Sequence, residues 1–292
     1  METSFDWGNL QKPTFFAEHR LPAHSDHCCY RDEAELARGE SSFSLRLDGV
    51  WYFHYARNLP LRPEGFEQPD YDCRGWETIR VPAHWELEGY GRPQYTNMTY
   101  PWDGHERVVP GEIPTRENPV GSYVRYFTLP EGWRGARVRV TFAGAESALV
   151  VYLNGHYVGY SEDSFTPASF DITELLMPGE NKLAVSVVRF SSGSWLEDQD
   201  FWRFGGLFRS VWLETQPAQH IKDLFVHAVP AHGYRDGALC IALRWSSEAA
   251  RQVELALYDA AGTLAARTSE TQEGTQTELS LAVSGVQLWS AA

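Results

Sequence analysis

The sequence predicts an all-β protein of two units, an antiparallel sandwich or jelly roll followed by a smaller β-sandwich, and three observations predict it. Apolar and polar residues alternate with a period of two in most apolar runs, as strands that put one face on a core require. An Asn-Gly dipeptide stands between two such runs, where it marks a tight hairpin. Helical spacing is scarce.

Taken in chain order, the alternating runs are "LRLDGVWYFHY" from Leu45, "YVRYFTL" from Tyr123, "ARVRVTFAG" from Ala136, "ALVVYLNGHYVGY" from Ala148 and "NKLAVSVVRF" from Asn181. Asn154-Gly155 divides the fourth into two strands and sets Tyr152 and Tyr157 on paired strands, because both residues tolerate the positive φ of a two-residue turn. The apolar faces predict a core around Trp51, Tyr152, Val185 and Val187. One helix is expected at "RDEAELARG" from Arg31, and a single turn at "DITELLMPGEN" with Asp171 or Thr173 as cap. Short strands joined by Gly, Pro and Asn loops suit two sheets that bury facing sides.

The stretch from about Tyr71 to Pro119 breaks the rhythm, with prolines at 93, 101, 110, 114 and 119 and several aromatics. Its length and aromatic content read as an ordered loop that lines something. Composition shifts again near Pro217. Beyond it "DLFVHAVP", "ALCIALRWSS", "RQVELALYDAAGTLAA" and "QTELSLAV" read as strands of a smaller sandwich, with a turn at Asp259, Ala260, Ala261 and Gly262. The expected division is an N-terminal extension over 1–40, a first β domain over 41–216 and a second over 217–292. The second is expected to be truncated, since "GVQLWSAA" stops directly after a strand.

With 292 residues the chain is long enough for two domains. Its formal net charge is −14 and no basic run could neutralise a line of phosphates, which disfavours nucleic acid and anionic membranes as partners. No apolar window approaches the roughly 20 residues of a membrane helix, and "METSFDWGNLQKPTFF" has no signal-peptide pattern, so a cytoplasmic protein is expected. Cys28, Cys29, Cys73 and Cys240 are too few and irregular for a disulfide framework and read as reduced thiols. "HSDHCC" offers His24, His27 and Cys28 to a metal, but the usual liganding spacing and a second ligand pair are absent. His54, His84, His105 and His156 stand singly and take no role.

The densest chemistry is in "WLEDQDFWRFGGLF", residues 195–208, with three acids, five aromatics, one arginine and a Gly-Gly pair. A glycosidase needs two carboxyls flanking the scissile bond, roughly 5 to 9 Å apart. In an extended strand Asp198 and Asp200 would share a face at about 7 Å, but side by side along one wall. The bland alternative is a solvated acidic loop with Trp195 and Trp202 packed inward and Arg203 paired with an acid. Between them lies a binding role, in which carboxylates accept hydrogen bonds from sugar hydroxyls or ligate a hard cation while aromatics pack on a pyranose. Composition favours this middle reading. Asn97, in "YTNMTYP", is by type a turn residue more often than a ligand contact.

The segments "LPAHSDH", "LDGVWYFHY", "VPAHWELEGYGRPQYTNMTYP", "ENPVGSYVRYFTLPEGW", "VYLNGHYVGYSEDSFTPASFDIT" and "GSWLEDQDFWRFGGLFRSVWL" resemble, in order and spacing, the amino-terminal part of the bacterial β-galactosidases of glycoside hydrolase family 2. The resemblance runs from about Leu21 to the end, and "YTNMTYP" with "LEDQDFWR" is more similar to a β-galactosidase than to a β-glucuronidase or β-mannosidase. It implies a jelly-roll, galactose-binding-like first domain and an incomplete immunoglobulin-like second domain. It also implies a retaining β-galactosidase, acting on terminal β-D-galactosides such as lactose, whose two catalytic glutamates lie in a barrel of roughly 250 further residues. By the same resemblance Asn97 and Asp200 reach the galactose pocket and Asp200 helps to hold Na⁺. Mg²⁺ is expected only in the barrel, and a homo-oligomer in the full-length protein. Met98 and Trp102 stand where related sequences vary. The rival from another class is a free-standing carbohydrate-binding protein.

Overall fold

Asn154 and Gly155 take φ of 53° and 83°, and the two-residue turn they make sets Leu153 opposite His156 and Tyr152 opposite Tyr157, as expected from the dipeptide. The structure is a computed structural model that describes residues 4–197 and 200–289. It is all-β. The strands of the first unit are, in chain order, β1 (Ala17–Glu18), β2 (Ser44–Arg46), β3 (Gly49–Ala56), β4 (Glu77–Val81), β5 (Gln94–Thr96), β6 (Val120–Thr128), β7 (Val138–Phe142), β8 (Ala148–Leu153), β9 (His156–Ser161), β10 (Ala168–Asp171), β11 (Glu180–Val188), β12 (Phe201–Arg203) and β13 (Val211–Thr215). They form a seven-stranded antiparallel sheet in the order β1-β9-β8-β11-β6-β3-β4, a four-stranded sheet in the order β10-β7-β13-β2, and a separate pair, β12-β5.

The two larger sheets face each other across one core. Trp51, Phe53, Tyr123, Val151, Val185 and Val187 come from the seven-stranded sheet, and Val140, Phe142, Phe170, Val211 and Leu213 from the four-stranded one. Trp51 is fully buried and donates its indole N–H to the Leu47 carbonyl at 2.8 Å, so its polar atom is satisfied inside the core. The outer face of the large sheet is covered too. Val124, Val150, Tyr152, Tyr160 and Ala184 pack there against Phe5, Leu10, Phe66, Cys73 and Ile113.

Two expectations need correction. Tyr152 is buried, but on this outer face and not with Trp51, Val185 and Val187, because it pairs with Ala184, one residue out of phase with Val185. The run from Leu45 is two strands in two sheets. The Val211 amide donates to Asp48 Oδ1 at 2.8 Å, and the chain turns there from β2 beside β13 to β3 beside β6. The single turn at Thr173–Leu175 is present, and Asp171 Oδ1 accepts from the Thr173 amide and hydroxyl.

The second unit comprises Ala23–Ser41 and the chain from Gln216, while residues up to Pro22 belong to the first, so the expected extension is shared between the two. Its helix α1 (Glu33–Arg38) starts at Asp32, whose side chain accepts from the Glu35 amide, and stops at Gly39. Strands β14 (Ile221–Ala231), β15 (Asp236–Trp245) and β18 (Gln276–Ser284) form one sheet, and β16 (Arg251–Tyr258) with β17 (Leu264–Gln272) another. The expected turn lies between β16 and β17, closed by Gly262 N–H to Asp259 O. Both ring nitrogens of His27 are used, by the Ser25 hydroxyl and the Ile221 carbonyl.

Candidate functional site

The two stretches that broke the rhythm of the sequence meet. In the β12-β5 pair, Arg203 lies opposite Gln94, Trp202 opposite Tyr95 and Phe201 opposite Thr96. One step further along both strands come Asp200 and Asn97, so the ladder brings the two candidate site residues to the same end of a small sheet. Both are exposed. Tyr95 donates its hydroxyl to Asp200 Oδ1 at 2.6 Å, a bond that raises the phenol above its ordinary pKa. Asn97 Oδ1 accepts from the Met98 amide at 2.8 Å, the local turn bond expected of its residue type. Its amide nitrogen still carries two donors, and the Asp200 carboxylate still has acceptor capacity.

Local sequence fixes this end of the molecule. Pro101 sits inside a turn closed by Asp103 N–H to Tyr100 O, and Asp103 Oδ2 takes the Tyr100 amide. The Gln94 side chain donates to Pro101 O at 2.6 Å. Tyr100 stacks on Trp102, and both meet Trp195 edge-on, whose indole donates to the Glu112 carbonyl. The Gly-Gly pair is explained by contact and by backbone. A Cβ on Gly205 would lie 2.1 Å from Trp85 Cζ2, and Gly206 has φ of 113°.

Beneath the small sheet lies a buried charged support. Arg203 is buried and donates to Thr96 Oγ1 at 3.0 Å and to the Glu197 carbonyl at 2.6 Å. Arg189 donates to the Arg203 carbonyl at 2.8 Å and lies 3.4 Å from Glu86 Oε1. Glu86 also accepts from the Trp85 indole and from the Gly205 amide, and its carboxyl is raised by burial, with Arg189 opposing. Glu146 is tied through its own backbone to Gly206 in both directions. Burial pushes its carboxyl up to about 8.

Of the acids in "EDQD", Glu197 spends its carboxylate on the Ser164 amide and hydroxyl, each at 2.7 Å. Asp198 lies outside the described residues. Trp195 is half-buried, as the bland reading required, but Trp202 is 51% exposed beside Tyr95 at 52%, with ring centroids 5.7 Å apart. The site therefore presents a carboxylate, an amide and an aromatic ledge, which suits a neutral polyhydroxylated ligand with an apolar face. Tyr95 escaped sequence reasoning because "QYT" is too short to show a period, whereas Trp202 was named there and lies outward, against the bland reading.

A hard cation takes six or more oxygen ligands. The Asp200 carboxylate is a donor of the right kind, but among the described residues no three His, Cys, Asp or Glu stand together to hold a metal. These residues do not complete a cation shell, and no step is assigned to an ion.

The family profile "Glycosyl hydrolases family 2, sugar binding domain" matches residues 44–217. A β-galactosidase of Halalkalibacterium halodurans is 46% identical over all of this chain and 29% of its own length. A β-galactosidase large subunit of Leuconostoc lactis is 39% identical over 99% of this chain and 48% of its own. The chain thus spans about a third to a half of these relatives. Among solved structures, a β-glycosidase from Bacteroides vulgatus aligns with TM-score 0.64 at 19% identity, covering 85% of this chain and 30% of its own. A β-glucuronidase from Bacteroides uniformis aligns with TM-score 0.63 at 23% identity, covering 84% and 28%. At these identities the structures establish the fold. With the profile spanning β2 to β13 and the site strands within them, the chain belongs to glycosyl hydrolase family 2.

Proposed function

We propose that the chain is the amino-terminal portion of a retaining β-galactosidase that hydrolyses terminal β-D-galactosides such as lactose. The observation that carries this reading is the meeting of β5 and β12, which sets Asn97 and Asp200 at one exposed end beside the Tyr95 and Trp202 rings. Asp200 accepts hydrogen bonds from galactosyl hydroxyls, Asn97 donates to them, and the rings face the apolar side of the pyranose. The nucleophile and the acid/base belong to the part of the relatives that this chain does not span. Retaining hydrolysis needs two carboxyls on either side of the glycosidic bond, and Glu197 is committed to Ser164. Na⁺ at Asp200 is part of the same reading, its remaining ligands coming from elsewhere, while Mg²⁺ belongs with the barrel.

The relatives named β-galactosidase, at 39% to 46% identity, support galactoside over glucuronide, because the glucuronidase structures resemble this chain only as a fold. A cytoplasmic setting accords with the lack, among the described residues, of a helix long and apolar enough to cross a membrane. Homo-oligomerisation of the full-length protein rests on the family resemblance and is read by light scattering. The deciding experiment is an assay of the full-length protein on nitrophenyl galactoside, glucuronide and mannoside. Preference for galactoside supports the proposal, preference for glucuronide or mannoside overturns the specificity, and sugar binding without turnover would make it a carbohydrate-binding protein.

A further inference from the structure

A pocket of about 20 Å³ lies behind the small sheet, lined among others by Glu146, Ser147, Arg189, Ser194, Glu197 and Arg203. That volume accommodates one water molecule, which needs about 10–15 Å³ and two to four polar partners. One lining group asks for such a partner. Arg189 is only 7% exposed, and its Nε is buried without a hydrogen-bond partner, although its two terminal nitrogens are engaged with the Arg203 carbonyl and with Glu86. A buried donor left unmet carries its full desolvation penalty, so a polar pocket beside one is filled in preference to staying empty.

We infer that this pocket is a binding site for a single ordered water, which accepts from Arg189 Nε and bonds the Glu146 carboxyl, joining the sandwich to the strand that carries the candidate site. The other lining groups select water over an ion. Arg189 is already paired with Glu86, Glu197 directs its carboxylate to the Ser164 amide and hydroxyl, and Ser147 Oγ donates to the Arg189 carbonyl, so these groups have partners without an ion. Burial keeps Glu146 largely protonated at neutral pH, and a protonated carboxyl can both donate to a water and accept from it. Through Arg189 the water reaches the Arg203 carbonyl on β12, three residues from Asp200. The inference stands whether or not the ligand is a galactoside.

A crystal structure of the protein at a resolution that shows ordered water tests it, together with crystals soaked in bromide. The expected result is one peak about 2.7–3.2 Å from both Arg189 Nε and a Glu146 oxygen, with no anomalous signal there. Glu146→Gln should keep the peak. Glu146→Met should remove it and lower the Tm. No peak beside a well-ordered Arg189, with other internal waters visible, would overturn the inference, as would a bromide peak in the pocket. Should the methionine variant not fold, the wild-type and Glu146→Gln peaks decide.

Discussion

Strands β11 and β12 are close in sequence and opposite in character. Every residue of β11 after Glu180 is buried, because both faces of its sheet are covered and neighbours flank it on each side. β12 has three residues and one partner, and it holds Trp202 half in solvent with Asp200 at its end. The first is bound by packing on all sides. The second is held from beneath by Arg203, Glu86 and Arg189, and above it is free to meet a ligand. The exposed candidate site thus rests on a buried, hydrogen-bonded layer beneath it.

The largest expected break in this comparison is between two tryptophans. Trp51→Ala in the core should lower stability by about 3–5 kcal/mol, whereas Trp202→Ala should stay within about 0.5 kcal/mol. Denaturant unfolding of each variant checks this, and equal losses would show that the β12 ledge is structural. Next comes Glu146. Its carboxyl titrates near 8 when folded and near 4.5 when unfolded, so its contribution is fully present below about pH 4.5, is lost as pH rises through about 8, and is flat above. The loss is at most on the order of 5 kcal/mol. Glu146→Gln should flatten that part of the stability-against-pH curve, and an unchanged slope would contradict the buried support.

Gly205→Ala should cost about 1–3 kcal/mol, because its Cβ would overlap the Trp85 ring. Thermal melts read this, and a neutral result would mean that Trp85 can move. The smallest effect is expected for Tyr95→Phe, which deletes the bond to Asp200 and leaves the ring. It should weaken sugar binding by about 1 kcal/mol, roughly fivefold, with no change in Tm. A fall in Tm without a change in binding would reverse its role.

Much of the fold was legible because it rests on local pattern. Alternation located β6, β7, β9 and β11, a continuous apolar run located β8, and Asn154-Gly155 located a hairpin together with its register. What the pattern could not tell was which face a residue meets. β8 is apolar at every position, so Tyr152 gave no sign that it faces outward. Nor could it show that Asp48 divides one alternating run between two sheets. For the site, Asn97 and Asp200 were named through a family resemblance. Their meeting depends on the pairing of Thr96 with Phe201 across more than a hundred residues, and no local signal encodes that. Glu146 lay between two strand-like runs and Arg189 inside one, and neither was singled out, since a buried polar network leaves no periodic mark.

The central claim is that the exposed end of the β12-β5 pair holds the sugar, and the kinetics of Asp200→Asn in the full-length protein test it most directly. The substitution keeps shape and removes the charge that would accept hydroxyls and attract a cation. We expect kcat/KM for nitrophenyl galactoside to fall by about a hundredfold or more, roughly 2.7 kcal/mol, with Tm unchanged. Unchanged kinetics and unchanged sodium dependence in a folded variant would contradict the account.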